Sequence, residues 1–205
     1  MSDCLRVILE KIVTRDELHA KWLNTLSYLE NCGARKIAAC EHPTLVKEEM
    51  LKHASEEFRH SHYLKKQIKK VTAISFPSYS IDSILGALSA ICYLNKLDLL
   101  CSRFLRSEGI EKKSEIKKMS YLLVTYAIEL RARELYPLYE EILRKHQSAV
   151  YVKSIILEEE EHLEEMEEGL ARLEKGKIYA EKICLIEKTL FEGFMANIER
   201  QLLFS

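Results

Sequence analysis

Glu57-Phe58-Arg59-His60 and Glu159-Glu160-Glu161-His162 carry the same spacing, Glu-x-x-His, and each sits in a long run with helical periodicity. Residues three apart on an α-helix share nearly one face, so each copy aims a carboxylate and an imidazole at one place. Outward from the first copy, in steps of three or four, Val46, Met50, His53, Glu57, His60, Leu64 and Ile68 trace one side of a helix. The same walk around the second copy gives Val152, Ile155, Glu159, His162, Met166 and Leu170. Both motifs therefore interrupt apolar stripes, where a carboxylate is costly unless it is paired, protonated or coordinated.

A helix bundle can hold two metal ions with a Glu-x-x-His on each of two helices and one Glu from each of two others. The helix before the first motif offers Glu30, on the line Leu23, Leu26, Glu30, Gly33 and Ile37. The helix before the second offers Glu129 or Glu134, which point about 140° apart at roughly 100° per residue. The apolar centre of that helix falls near Ile128, Ala132, Leu135 and Tyr139, closer to Glu129. Glu30 precedes Glu57 by 27 residues and Glu129 precedes Glu159 by 30, against 25 for Glu134. Glu129 is the choice and Glu134 the reserve. The candidate ligands are Glu30, Glu57, His60, Glu129, Glu159 and His162. His53, one turn before Glu57, is an additional ligand, an orienting group for Glu57 or a packed core histidine, and packing is the default for a lone imidazole on an apolar face. Tyr28, Tyr126 and Tyr136 are electron relays or, by default, packed core residues, Cys32 near Glu30 reads as a buried small hydrophobe, and Arg131 and Arg133 are anchors for carboxylates around the site or, by default, partners in surface ion pairs. Oxygen ligands with two imidazoles suit iron or manganese better than zinc.

The rest of the chain fits an all-α fold. Its 205 residues are 47% hydrophobic and 31% charged with only 6 Gly and 3 Pro, the composition of long amphipathic helices in one domain, 1–205. Thr14-Arg15-Asp16-Glu17 has the form of a capping box, with a short helix before it. A first long helix should run from there to His42-Pro43, and a second should start at Pro43 and reach about Val71. Ile81 to Leu105 reads as a crossing helix closed by Gly109. A third bundle helix spans about Ser114 or Met119 to His146, kinked at Pro137. The fourth runs from about Ala149 to Glu174, ended by Lys175-Gly176-Lys177, and a closing helix covers about Ile178 to Leu203. The motif stands in the second helix of each hairpin, a weak internal duplication. The acidic run Glu158 to Glu168 reads mostly as a solvated face.

Lys plus Arg (31) nearly balances Asp plus Glu (32), which gives no electrostatic reason to expect nucleic acid, and the Lys112 to Lys118 cluster reads as a solvated helix start. The first residues lack a signal-peptide core and no run suits a membrane span. Six scattered cysteines without C-x-x-C spacing fit reduced thiols in a cytoplasm.

With these residues the chain resembles the ferritin-like superfamily of di-iron carboxylate proteins, over roughly Thr14 to Val71 and Met119 to Glu174. The string Ile128-Glu129-x-Arg131-x-x-Glu134 resembles the third helix of a tRNA-modifying hydroxylase of that superfamily, too short a match to carry its substrate. The resemblance implies a ferritin-like four-helix bundle of two antiparallel hairpins with a long crossing helix and a C-terminal closing helix. It also implies two iron ions, with manganese as the alternative, and a di-iron oxidoreductase or oxygenase acting on dioxygen or peroxide and a small-molecule substrate. No paired C-x-x-C of a rubredoxin module is present, so electrons would come from an external donor. A homodimer is compatible with this reading. The alternatives are a non-catalytic iron-binding or iron-storage (ferroxidase) protein and a metal-free helical interaction module.

Overall fold

The computed structural model describes residues 2–42 and 44–203. Among them are seven α-helices and no strand: α1 (Ser2–Val13), α2 (Asp16–Cys40), α3 (Glu48–Ile68), α4 (Ala87–Ser107), α5 (Lys113–Lys145), α6 (Lys153–Ala171) and α7 (Gly176–Leu203), with a 3₁₀ turn at Ile81–Ser83. No helix is long and apolar enough to cross a membrane.

Side-chain pairings fix the helix directions. Asn24 and Ser27 of α2 meet Lys65 and Ser61 of α3, so the two run antiparallel. Leu122 of α5 lies against Gly169 of α6, while Glu140 accepts the amide of Val152 at the other end, so α5 and α6 also oppose each other. Between the pairs, α3 and α6 are antiparallel, with Lys52 reaching Glu165 and Tyr63 reaching Tyr151. α3 therefore ends at the pole opposite to the one where α5 must start. α4 spans that distance, alongside and parallel to α2, as Tyr28 to Ile91 and Lys36 to Asp98 show. α7 then lies antiparallel on α4, with Phe104 against Tyr179 and Tyr93 against Phe194.

One core cluster gathers α1, α2, α5 and α7 around Trp22, which stacks on Phe194 and meets Tyr139 edge-on. A second joins α4, α5 and α7 through Leu97, Leu105, Leu123 and Ile183. Burial of such side chains, about 1.5–3 kcal/mol each, is what holds helices of ordinary propensity in place.

Several boundaries differ from the sequence expectations. The Thr14 hydroxyl donates back to the carbonyl of Glu10 at 2.9 Å, so it closes α1 instead of capping α2, which starts at Asp16 with Glu17 paired to Lys21. Pro43 lies outside the described residues, but 44–47 are not helical and α3 begins at Glu48. The His42 ring accepts the amides of Thr44 and Leu45, which holds a turn there, and Val46 is left exposed and off the stripe. Helix α4 starts only at Ala87, after Gly86 at φ 77°, a conformation open to glycine, whose Cα packs against the Phe194 ring. α6 starts at Lys153 because Val150 and Val152 plug into the core. Gly176 does not end α6, which stops at Ala171; it opens α7, where a Cβ would lie 2.1 Å from the Leu170 carbonyl oxygen. α5 continues through Pro137, which has no N–H to offer the preceding turn.

Candidate metal centre

The interrupted stripes of α3 and α6 face each other, and α2 and α5 close the other two sides. Glu30 comes from α2, His53, Glu57 and His60 from α3, Glu129 from α5, and Glu159 and His162 from α6. They form two groups of potential ligand atoms, each within 4.8 Å of one another: Glu30, Glu57, His60 and Glu159, and His53, Glu57, Glu129 and His162. Glu57 belongs to both. All six residues expected from the sequence are brought together, and His53 joins them: its Nε2 stands 3.1 Å from Glu129 Oε1 and 3.6 Å from Glu57 Oε1. One turn of helix carries His53 onto the same face as Glu57, where it is both a buried, hydrogen-bonded histidine, as the default reading has it, and one of the potential ligands. Glu134 points away, exposed and paired with Arg131.

His60 and His162 share one arrangement. Nδ1 of His60 faces Glu159 Oε1 at 3.1 Å, and Nδ1 of His162 faces Glu57 Oε1 at 3.6 Å. Their outer nitrogens bond to carboxylates across the α3–α6 interface: His60 Nε2 to Glu158 at 2.6 Å, and His162 Nε2 to Glu56 at 2.8 Å. An Nε2–H held this way leaves Nδ1 as a bare lone pair aimed inward, the tautomer a metal needs. Glu56 and Glu158 were missed from the sequence. Their signal was the doubled Glu opening each motif, Glu56-Glu57 and Glu158-Glu159, one residue of which faces the centre while the other reaches across to the opposite histidine. Glu158 is thus not part of the solvated face. Replacing either outer carboxylate, as Glu56→Ala or Glu158→Ala, should weaken metal binding about 10- to 100-fold without unfolding the protein, as read by chelator competition and a melting curve.

The donor set fits divalent cations. Among the described residues, seven buried side-chain atoms lack a hydrogen-bond partner, and five belong to this cluster: Nδ1 of His53, His60 and His162, Oε2 of Glu129 and Oε1 of Glu159. Such atoms cost free energy unless something coordinates them. Without an ion, protons take that place. Burial, followed by the neighbouring carboxylates, raises Glu30 and Glu129 well above the ordinary range, and burial with Glu159 lifts Glu57 to about 7. For Glu159 burial works upward too, but the neighbouring Glu129 carboxyl and the His162 and His60 imidazoles hold it below the usual carboxylate value. Burial disfavours charge on His60 and His162, yet Glu159 and the nearby carboxylates raise both to about 9. His53, buried against the His162 ring, falls to about 4.

Two further groups depart from the sequence reading. The buried Tyr136 hydroxyl donates to Glu30, so it fixes a carboxylate at the centre as well as packing. Arg131 is buried, not on the surface: its Nε and an Nη donate to both oxygens of Glu187 at 2.9 and 2.7 Å, its plane lies over Phe191, and Tyr93 donates to the same carboxylate. This ties α4, α5 and α7 together. The Tyr28 hydroxyl donates to the Ile91 carbonyl at 3.5 Å, Tyr126 packs half-buried against the second core cluster, and Cys32 packs half-buried at the core's edge.

Beside the cluster, bounded by α2, α4, α5 and α7, lies a cavity of about 480 Å³ whose wall includes Glu30, Glu57 and Glu129. Neither a family model, nor a curated protein, nor a solved structure matches this chain.

Proposed function

We propose that the chain is a ferritin-like dinuclear iron protein, a di-iron oxidoreductase or oxygenase that activates dioxygen or peroxide. The observation that carries this reading is the pair of buried four-residue groups sharing Glu57. The ferritin-like arrangement is supported by two antiparallel hairpins, each giving one lone Glu and one Glu-x-x-His, joined by a helix that returns the chain to the starting pole. Two iron ions held there would supply the electrons for a two-electron reduction of dioxygen or peroxide. Glu57 would keep the two ions adjacent, Glu56 and Glu158 keep the imidazole tautomers fixed, and Tyr136 restrains Glu30. Ile128, Ala132 and Leu135 line the adjoining cavity and keep water away from the carboxylates.

That cavity favours an oxygenase over a sealed ferroxidase, because an organic substrate needs space beside the metals. α4 and α7 cover helices that a storage cage would use for assembly. The six cysteines are all free and form no paired motif, so an external electron donor is part of the proposal.

Aerobic purification followed by metal analysis and anaerobic ferrous titration checks this. About two irons per chain, lost in a Glu57→Ala and Glu159→Ala double variant, and consumption of dioxygen by the ferrous protein are expected. Hundreds of irons per assembly would favour storage instead, and metal content unchanged in the double variant would leave only the helical interaction module.

A further inference from the structure

The cavity beside the cluster has a mouth with a charge. Most of its wall is buried or half-buried and the wall surface is chiefly apolar, but at one end it is lined by the exposed side chains of Arg106, Lys113 and Lys117, and by Lys36. Lys36 is paired with Asp98. Arg106, Lys113 and Lys117 make no ion pair among the described residues. The one other cation in the wall, Arg131, is already neutralised by the buried Glu187 and, on its outer side, by the exposed Glu134. Uncommitted positive charge is therefore confined to the mouth, apolar wall fills the middle, and three carboxylates of the cluster lie at the far side. A free anion has no reason to enter past the mouth, and a neutral apolar molecule would leave the three cations without a partner.

We propose that this cavity binds an amphipathic organic anion, its acidic head held by Arg106, Lys113 and Lys117 and its apolar body extending toward Glu30, Glu57 and Glu129. The volume, about 480 Å³, lies within the roughly 300–1,000 Å³ of small-molecule sites. Charge at the rim draws the anion in and sets its direction, and the apolar middle of the cavity penalises passage of a charged head, which stays at the mouth. The body, not the head, is then the part presented to the centre. This names the substrate class of the proposed oxygenase and rests on that reading only for the fate of the ligand; binding itself does not require the metals.

The test uses the full chain, with and without metal, and calorimetric titration with straight-chain alkyl carboxylates of increasing length, the matching alkyl phosphates and the matching alcohols. Affinity should rise with chain length and be roughly tenfold or more stronger for the anions than for the alcohols. Lys113→Glu with Lys117→Glu, both exposed and remote from the core, should erase the advantage of the anions and leave alcohol binding unchanged. Ala132→Trp, which fills the cavity, should abolish binding of all three series; Ile128→Phe is the milder second block if the tryptophan variant melts early. The proposal is overturned by absence of saturable binding, by binding indifferent to the cavity-filling variants, or by anion binding that survives charge reversal. Carboxylate and phosphate arms show which head is preferred. Metal content is measured on every sample: absence of ligand binding in protein that holds two irons defeats this inference alone, and ligand binding by protein that takes up no iron in the ferrous titration defeats the di-iron reading alone.

Discussion

A Glu57→Gln substitution should empty both metal positions at once, whereas Glu30→Gln should weaken one. The asymmetry follows from placement: Glu57 is in both four-residue groups, and Glu30 is only in the group with His60 and Glu159. Glutamine has the same shape, so no cavity opens in the bundle, but it removes the negative charge that would offset two cations. Loss of an outer partner already costs 10- to 100-fold in affinity, so loss of the shared ligand should cost about 100-fold or more. His53→Gln is the informative companion. It belongs to the second group, which carries two imidazoles against one in the first, so it should lower affinity at one position and leave the other filled. Metal analysis with a cobalt titration of the metal-free protein reads both effects. Glu134→Gln, on the exposed side of α5, should change nothing. Two ions retained by Glu57→Gln would remove the shared role of Glu57.

That Glu129 and not Glu134 would face the cluster is legible in the sequence, while the contacts of Glu56 and Glu158 are not, and the difference has a physical origin. A ligand must lie on the buried stripe of its own helix, and a stripe is a one-helix property that periodicity reveals. Glu56 and Glu158 sit at stripe edges among many other glutamates; their contacts exist only because α3 and α6 run antiparallel and bring the Glu just before each motif to the opposite histidine. His53 was visible on the stripe, but whether it packed or ligated depended on where α5 placed Glu129. Arg131 was misread for the same reason: its partner Glu187 lies on α7, 56 residues away. Helix existence came through well because Gly and Pro are few. The boundaries shifted where a side chain acted against its usual habit, as Thr14 did in closing α1 and His42 in holding a turn.

Metal should raise the melting temperature of this 205-residue chain by roughly 8–16 °C when free metal exceeds its dissociation constant about 1,000-fold, and the rise should grow with pH between 7 and 9. The first part is linkage: about 4 kcal/mol at that excess, and about 2–4 °C per kcal/mol at this size. The second depends on which protons the metal-free cluster holds. His60 and His162 are raised to about 9, so the stability they contribute is full below the ordinary histidine value of about 6.5 and is lost as pH climbs through 9. Glu57, raised to about 7, loses its contribution earlier, as pH passes through 7, and Glu30 and Glu129 act in the same direction. The opposing groups are Glu159, held below the ordinary carboxylate range, and His53, lowered to about 4, whose effects are complete by about pH 6.5. Above pH 7 every remaining shift therefore destabilises the metal-free bundle, while the same lost protons no longer compete with the ions. Melting curves of metal-free and metal-loaded protein at pH 6, 7, 8 and 9 should diverge, and metal binding at pH 7 should release protons in proportion. A gap that narrows as pH rises would mean that the cluster is a proton-bridged structural network and not a metal centre.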